Sequence, residues 1–199
     1  MKARITSLAA AILALAGCNG EPTGPPKVSE LRVAQVTAAG KRTPFESYDF
    51  VCPSLPESNP GTVTQAGNTL HVRDVINYSY HVSTNPLVEG VLTVWVSANV
   101  NLSNGAGDFT GTLEVAPAIL DGAGSWVGTF GGHFKGGKFE GNPLTLVDSH
   151  MVAHGTGVLE GQSIMFDHIV NLAFEHPAGP DGCTFDGEVF KGFIFDPRG

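Results

Sequence analysis

Apolar and polar residues alternate with a period of two along most of the chain after residue 68, and this pattern constrains the fold most strongly. Because successive side chains of a β-strand point to opposite faces, the alternation predicts strands with one buried and one exposed face. Thr69–Ser83 is the clearest example. Its apolar face is predicted to hold Val72, Ile76, Tyr78, Tyr80 and Val82, and its polar face His71, Arg73, Asn77, Ser79 and His81. Asp74 interrupts the apolar set, and Val75 interrupts the polar set.

Further alternating segments follow, separated by turn-forming clusters of Gly, Pro, Asn and Asp. A turn is predicted near Lys135–Lys138, and the apolar face of the last strand is predicted to hold Phe185, Val189, Phe193 and Phe195. The other predicted strands are Glu30–Val36, Phe45–Val51, Val88–Leu102, Phe109–Val115, Trp126–Phe134, Phe139–Asn142, Leu144–His154, Val158–Phe174 and Thr184–Phe195.

These short connections favour antiparallel neighbours. We therefore predict an all-β chain with a single antiparallel up-and-down β-barrel of the calycin-like kind, built from about eight strands. A two-sheet β-sandwich is the alternative. The barrel is preferred because the strands follow one another continuously and because closure removes exposed strand edges.

The composition narrows the classes of partner. Only 15% of the 199 residues are charged and 42% are hydrophobic, which is enough apolar surface to form a core. The formal net charge is −8, and it becomes −10 once Lys2 and Arg4 are removed with a leader. An acidic surface repels phosphate backbones and anionic lipid, so we expect no nucleic-acid partner and no membrane attachment through the protein surface itself.

The N-terminus has the pattern of an export signal. Lys2 and Arg4 precede the nine apolar residues Leu8–Ala16, too short a run for a transmembrane helix. The run ends in Leu15-Ala16-Gly17-Cys18, which resembles the lipobox of bacterial lipoproteins. The resemblance implies cleavage before Cys18 and acyl chains, such as palmitate, that bind the mature protein to a lipid bilayer. The alternative is an ordinary signal peptide with a chance cysteine.

This resemblance, together with the strand pattern, predicts three regions: a signal peptide over 1–17, a lipidated tether over 18–29 and a β-barrel domain over 30–199. The predicted location is the bacterial cell envelope. Asn19 stands where the inner-membrane retention signal usually has Asp, which favours the outer membrane if the organism is Gram-negative.

Two cysteines remain, Cys52 and Cys183. An exported protein reaches an oxidising compartment, so a disulfide between them is predicted, with two unpaired buried thiols as the alternative. A closed loop of about 130 residues contributes roughly 4–5 kcal/mol in the chain-entropy model.

Two Gly-rich blocks carry a second resemblance. They are GSWVGTFGG over 124–132 and HGTGVLEGQSIMF over 154–166. They resemble allene oxide cyclase-like, or dirigent-like, β-barrel proteins. That class implies an eight-stranded barrel with an apolar interior that binds or shapes small hydrophobic molecules. No catalytic residue of the cyclases can be carried over to a position of this chain.

Four side chains are candidates for ligand binding or interaction. Trp95 lies in the polar phase of its strand, where an aromatic ring can form a binding surface or cover a neighbouring loop. Asp148 and His150 share one face, as acid–base pairs require, and Glu114 could act as an acid at a barrel mouth. Ordinary surface or rim positions are the alternative for each residue. No metal site and no cofactor are expected, since His150 and His154 are too far apart on a strand to share an ion.

Three functions follow as hypotheses. The first is a membrane-anchored lipoprotein that binds a small hydrophobic or amphipathic molecule in its barrel. The second is an enzyme of cyclase or isomerase type, and the third is a structural or surface-interaction lipoprotein. A hollow interior favours the first, an interior acid or base such as Glu114, Asp148 or His150 favours the second, and a filled interior with an exposed patch at Trp95 favours the third.

Overall fold

The computed structural model describes residues 40–139, 142–170 and 176–199. The predicted signal peptide, Cys18, the tether and the predicted strand Glu30–Val36 lie outside them. Two single turns of 3-10 helix, Ala118–Leu120 and Gly157–Leu159, lie in connections between strands. The strands are β1 Lys41–Val51, β2 Thr62–Ala66, β3 Thr69–Ser83, β4 Gly90–Asn101, β5 Gly107–Pro117, β6 Trp126–Phe139, β7 Asn142–Gly155, β8 Ser163–Val170 and β9 Thr184–Asp196.

The strands form an antiparallel β-barrel of eight strands, which confirms the predicted fold class. From β3 to β9 each strand pairs with the next along the chain, and β1 closes the ring by pairing with both β9 and β3. The closing seam with β3 is short, running from Ser47–Ser83 to Phe50–Tyr80. β2 lies outside the ring and pairs with the first residues of β3. Among the described residues, no helix has the length and apolar character needed to cross a membrane.

Several strand boundaries match the sequence pattern and others do not. β3 has the predicted bounds, Thr69–Ser83. The turn predicted at Lys135–Lys138 is wrong, because β6 continues to Phe139 and pairs with β7 along its whole length. The predicted strand over Val158–Phe174 begins too early, since Gly157–Leu159 is a 3-10 turn. β2 was not predicted at all.

The middle of the barrel is filled by apolar side chains. Trp126, Leu113 and Ile164 are completely buried there, and Phe109 packs against Phe130 with ring centroids 6.0 Å apart. The indole Nε1 of Trp126 donates a hydrogen bond of 2.6 Å to the Leu87 carbonyl oxygen, so the one polar atom of this ring has a partner. Burial of this apolar set is the main force that favours closure.

A β-bulge in β3 reverses which of its faces points inward. The pairing of β3 with β4 shifts between Val72 and Val75, and Asp74 between them has a left-handed φ of 57°. The extra residue moves the following side chains to the opposite face. The inner face after the bulge therefore carries Val75, Ser79 and His81, and the predicted inner positions of Ile76, Tyr78, Tyr80 and Val82 are wrong.

The inner face of β9 also differs from the prediction. Ile194 pairs with Ile164 of β8 and Phe190 pairs with His168, and all four are buried on the inner side. Phe193 pairs instead with Met165, which is exposed. The apolar phase through Phe185, Val189, Phe193 and Phe195 is therefore the outer one.

A disulfide joins the end of β1 to the start of β9. Cys52 follows the last residue of β1 and Cys183 precedes the first residue of β9, and the two are bonded as predicted. The bond connects two strands that are already hydrogen-bonded neighbours, through the pair Val51–Thr184.

Candidate functional site

The residues singled out from the sequence lie on the outer face where their side chains are described. Trp95 is 39% exposed and stands opposite Ile76 of β3. Glu114 alternates with the inward residues Leu113 and Val115 of β5 and is partly exposed. These positions give neither residue an interior role.

His150 and Asp148 were expected to act together on β7. The His150 side chain is 79% exposed, and its Nδ1 contacts the Asp167 carboxylate of β8. The Asp148 side chain lies outside the described part of the structure, although its backbone pairs with His133. His150 therefore has a different acidic partner, across the strand pair and on the outer surface.

A second group of acids and imidazoles lies inside the barrel and was not predicted as a site. It comprises five side chains that come from four strands. They are Asp49 of β1, His81 of β3, His168 of β8, and Asp186 and Glu188 of β9. We call them the interior acid–imidazole cluster.

Asp49 and His81 face each other directly across the closing seam of the barrel. They are a registered pair of β1 and β3, so both side chains point to the same side of the sheet. His81 Nε2 lies 3.2 Å from Asp49 Oδ1, and both side chains are almost completely removed from solvent. The β3 bulge is what turns His81 inward.

His168 and Glu188 form a similar contact on the neighbouring strands. His168 is paired with Phe190, and Glu188 lies two residues before Phe190 on the same face of β9. The Nε2 atom of His168 is 3.3 Å from Oε2 of Glu188, and both side chains are at least nine-tenths buried. Asp167, which precedes His168 in the sequence, points outward. The two neighbours therefore do not form an acid–imidazole pair.

Asp186 brings a third carboxylate to the two pairs. One oxygen from each of Asp49, Asp186 and Glu188 lies within 4.8 Å of the others. Burial raises the pKa of the Asp186 carboxyl to about 10, with further contributions from the nearby charges of Asp49 and Glu188. Burial lowers the pKa of His168, but the carboxylates of Glu188 and Asp49 outweigh that effect and the net pKa is raised.

Local backbone geometry places the two acids of β9. Gly187 lies between them and has a φ of 95°, a conformation that side-chain-bearing residues rarely adopt. The β1–β9 register shifts at this point, between Tyr48 and Phe50 on β1. The irregularity places Asp186 and Glu188 beside Asp49.

Phe190 contacts both imidazoles. Its ring centroid is 4.7 Å from that of His81 and 4.7 Å from that of His168, and the His168 ring is nearly parallel to it. The aromatic ring therefore restricts the rotation of both histidines from the apolar side of the cluster.

Several buried polar atoms of this region have no hydrogen-bond partner among the described residues. They are Ser47 Oγ, Asp49 Oδ1, His81 Nδ1 and Nε2, Ser149 Oγ and His168 Nε2. The His81–Asp49 and His168–Glu188 contacts are close approaches of nitrogen and oxygen that lack the direction of a hydrogen bond. Buried polar atoms are normally paired, so this concentration at one end of the interior makes the cluster the candidate functional site.

The sequence carried only a faint signal of this cluster. Asp49, His81 and Asp186 are far apart along the chain, and no spacing motif links them. The one usable signal was the double break at Asp74 and Val75, which is what a bulge produces in an alternating pattern.

Comparison of this chain with known protein families, curated proteins and solved structures finds no match. The resemblances to bacterial lipoproteins and to allene oxide cyclase-like barrels therefore stay predictions from the sequence.

Proposed function

We propose that the protein is a lipid-anchored β-barrel of the bacterial cell envelope that binds a small cationic ligand at the polar end of its interior. The observation that carries the proposal is the interior acid–imidazole cluster, in which three carboxylates lie within 4.8 Å of one another. The anchor is the acylated Cys18 inferred from the lipobox.

The energetics of the cluster favour a positively charged ligand. An unpaired buried polar group costs about 1–3 kcal/mol, and like charges at close range cost more. Protonation of Asp186 relieves part of the repulsion in the absence of a ligand. A cation among these oxygens would relieve most of the remaining repulsion and would give the unpaired Asp49 Oδ1 a partner.

The apolar part of the interior supports this choice over a purely hydrophobic ligand. Trp126, Phe130 and Phe166 are among the buried side chains that occupy it. The hydrophobic ligand predicted from the sequence would have to displace such groups. An amphipathic ligand with a cationic head is compatible with the cluster.

Thermal unfolding of the full-length protein in detergent tests the proposal with four probes: Zn²⁺, Mn²⁺, putrescine and, as an anionic control, acetate. We expect at least one cation, at about 100 times its Kd, to raise Tm by roughly 5–10 °C, and acetate to have no effect.

Asp186→Asn combined with Glu188→Gln should remove the response. Asp167→Asn combined with His150→Ala changes the same residue types on the outer surface and should keep it. Equal responses in both double variants, or no response to any cation, would falsify the proposal.

A second candidate function is an acid–base enzyme of cyclase or isomerase type. The two His–carboxylate contacts favour it, because an imidazole beside a carboxylate is a common acid–base arrangement. Glu114 and His150 take no part, since they lie on the outer face. The test is mass spectrometry of a bacterial lipid extract incubated with the protein or with His81→Gln/His168→Gln. Conversion by the unchanged protein alone supports an enzyme, and equal spectra contradict it.

A further inference from the structure

We propose that Asp49, Asp186 and Glu188 bind one divalent transition-metal ion inside the barrel, and that His81 and His168 supply nitrogen ligands beside them. This inference rests on the proposed function and names the cation. The three carboxylates come from β1 and β9, and the imidazoles from the strands on either side, β3 and β8.

The three carboxylates lie close enough to approach one ion, and each imidazole nitrogen lies at the spacing of adjacent ligands from one of them, His81 from Asp49 and His168 from Glu188. Bonds of about 2.1 Å to Zn²⁺ or a similar ion place adjacent ligand atoms about 3.0–3.4 Å apart and opposite ones about 4.2 Å apart. The two nitrogen–oxygen separations are 3.2 Å and 3.3 Å. The carboxylate oxygens, all within 4.8 Å, need only a small movement inward to share an ion.

His81 provides an observation independent of the acidic groups. Its side chain is completely buried, and neither ring nitrogen has a hydrogen-bond partner among the described residues. Nε2 nevertheless points to within 3.2 Å of Asp49 Oδ1. A buried imidazole usually donates from one nitrogen and accepts at the other, whereas a metal-binding imidazole directs a lone pair towards the ion. The geometry of His81 fits the second arrangement.

The mixture of ligands selects the class of metal. Mg²⁺ and Ca²⁺ are bound almost entirely by oxygen, whereas imidazole nitrogen suits Zn²⁺, Fe²⁺ and related ions. Three carboxylates with two imidazoles therefore favour a transition metal over an alkaline-earth ion. Three negative carboxylates would also outweigh the charge of a single divalent ion, which favours retention of the ion.

The surrounding structure holds the ligands in place without the ion. The disulfide of Cys52 and Cys183 fixes the ends of the two strands that carry the carboxylates. Phe190 packs against both imidazoles. Asp186 is the most exposed of the three acids, so an ion would enter past its side chain.

Isothermal titration of EDTA-treated full-length protein in detergent is the direct test. Zn²⁺ and Mn²⁺ are titrated separately, and Mg²⁺ is the comparison ion. We expect one ion per chain and an affinity for Zn²⁺ at least 100-fold above that for Mg²⁺. Asp186→Asn should weaken Zn²⁺ binding at least 10-fold while the EDTA-treated variant becomes more stable, because one of three crowded carboxylates is gone.

The control is the outer pair His150 and Asp167, which offers an imidazole and a carboxylate in contact but exposed. His150→Ala with Asp167→Asn should leave Zn²⁺ binding unchanged. Zn²⁺ binding that survives Asp186→Asn and Glu188→Gln, or that disappears with the outer pair, overturns the metal site. Binding of putrescine but of no metal overturns this inference and leaves the proposed function intact, whereas binding of neither overturns both.

Discussion

Asp186 occupies an environment that opposes its own charge. Burial raises its pKa to about 10, and the carboxylates of Asp49 and Glu188 add to the shift. Without a cation the residue therefore carries a proton at neutral pH. It stays close to two other acids because its strand and the glycine after it fix its position. A cation that binds this carboxyl group would displace its proton, so ligand binding and proton release would be coupled at Asp186.

The first prediction concerns pH and Asp186. The folded protein keeps the Asp186 proton up to a pH near 10, whereas the unfolded chain releases it near the ordinary value of 3.8. Between these limits the folded state binds more protons, so the stability that this group contributes is complete below about pH 4 and is lost as pH rises. His168 adds to the trend above its ordinary value of 6.5, and His81, Asp49 and Glu188 face the same space.

We therefore expect the Tm of EDTA-treated protein to fall between pH 5 and pH 8, measured by circular dichroism. Asp186→Asn should reduce that fall and raise Tm at pH 8 by about 3–10 °C, equivalent to roughly 1–3 kcal/mol. The exposed Asp167→Asn is the control and should leave the pH dependence unchanged. An Asp186→Asn variant less stable than the parent at pH 8 would contradict the expectation.

The cluster was not predicted from the sequence because the proximity of its residues is a property of the closed barrel. Asp49 and His81 become neighbours only when β1 closes the ring on β3. His168 follows Asp167 along the chain, but its partner Glu188 lies on the next strand. The sequence did offer Trp95 and His150 as candidates. Both lie on the outer face, away from the cluster.

At the scale of elements, β3 and β9 explain both the errors and the site. In each strand the more apolar face was predicted to point inward, and in each the inner face carries an imidazole or acids among its apolar residues. In β4, β5 and the start of β6 the apolar phase of the sequence is the inner face, because there alternation is unbroken. Departures from hydrophobic patterning coincide with the proposed site, as expected where function opposes stability.

The second prediction tests the bulge of β9. Gly187→Ala forces a side chain into a conformation with φ of 95° and should lower stability by about 1–3 kcal/mol. Because Gly187 lies between two proposed ligands, Zn²⁺ affinity should also fall. Gly182→Ala is the matched control: its φ is 79°, it has open space around it, and it lies in the loop before β9. Calorimetric titration should show the loss of affinity in Gly187→Ala alone, and equal affinities would argue against the role of the bulge.

The third prediction concerns the disulfide. Replacing Cys52 and Cys183 together by Ser should lower the free energy of unfolding by about 2–5 kcal/mol, as measured by urea denaturation. The ends of β1 and β9 should also loosen, which weakens Zn²⁺ binding. A reducing agent should reproduce both effects in the parent and change nothing in the double variant. Unchanged Zn²⁺ affinity after reduction would show that the strands hold the acids without the bond.

At the scale of the whole molecule, the barrel itself was the most predictable feature. Continuous alternation with short turns favours closure of one sheet, and β3 has the predicted bounds, Thr69–Ser83. The hairpin of β6 and β7 is longer than predicted because Gly136 and Gly137 were interpreted as a turn, although they pair regularly with β7. Glycine promotes turns but does not forbid a strand that has a long partner.

The fourth prediction concerns attachment to the membrane. Cys18→Ala removes the only thiol that the lipobox offers for acylation, so the protein should move from the membrane fraction to the soluble fraction. Radioactive palmitate should label the parent and not the variant. The barrel of the variant should unfold at the same temperature as that of the parent. Continued membrane association of an unlabelled Cys18→Ala chain would contradict the lipoprotein assignment.

The divided pairing of β3 has a consequence for how copies of the barrel meet one another, above all if the proposed lipid anchor holds them on a bilayer. One side of β3 is bonded first by β2, then by the bridge from Asn59 to Ile76, and finally by β1. In the order of hydrogen-bonded strands, β2 is therefore the last strand of the sheet. It has only five residues and is largely exposed. Copies held on a bilayer by the proposed anchor would diffuse in two dimensions and collide often, and a long unpaired strand would let them associate backbone to backbone. A terminal strand this short gives colliding copies little to extend, so crowding on the membrane should not lead to strand-mediated aggregation.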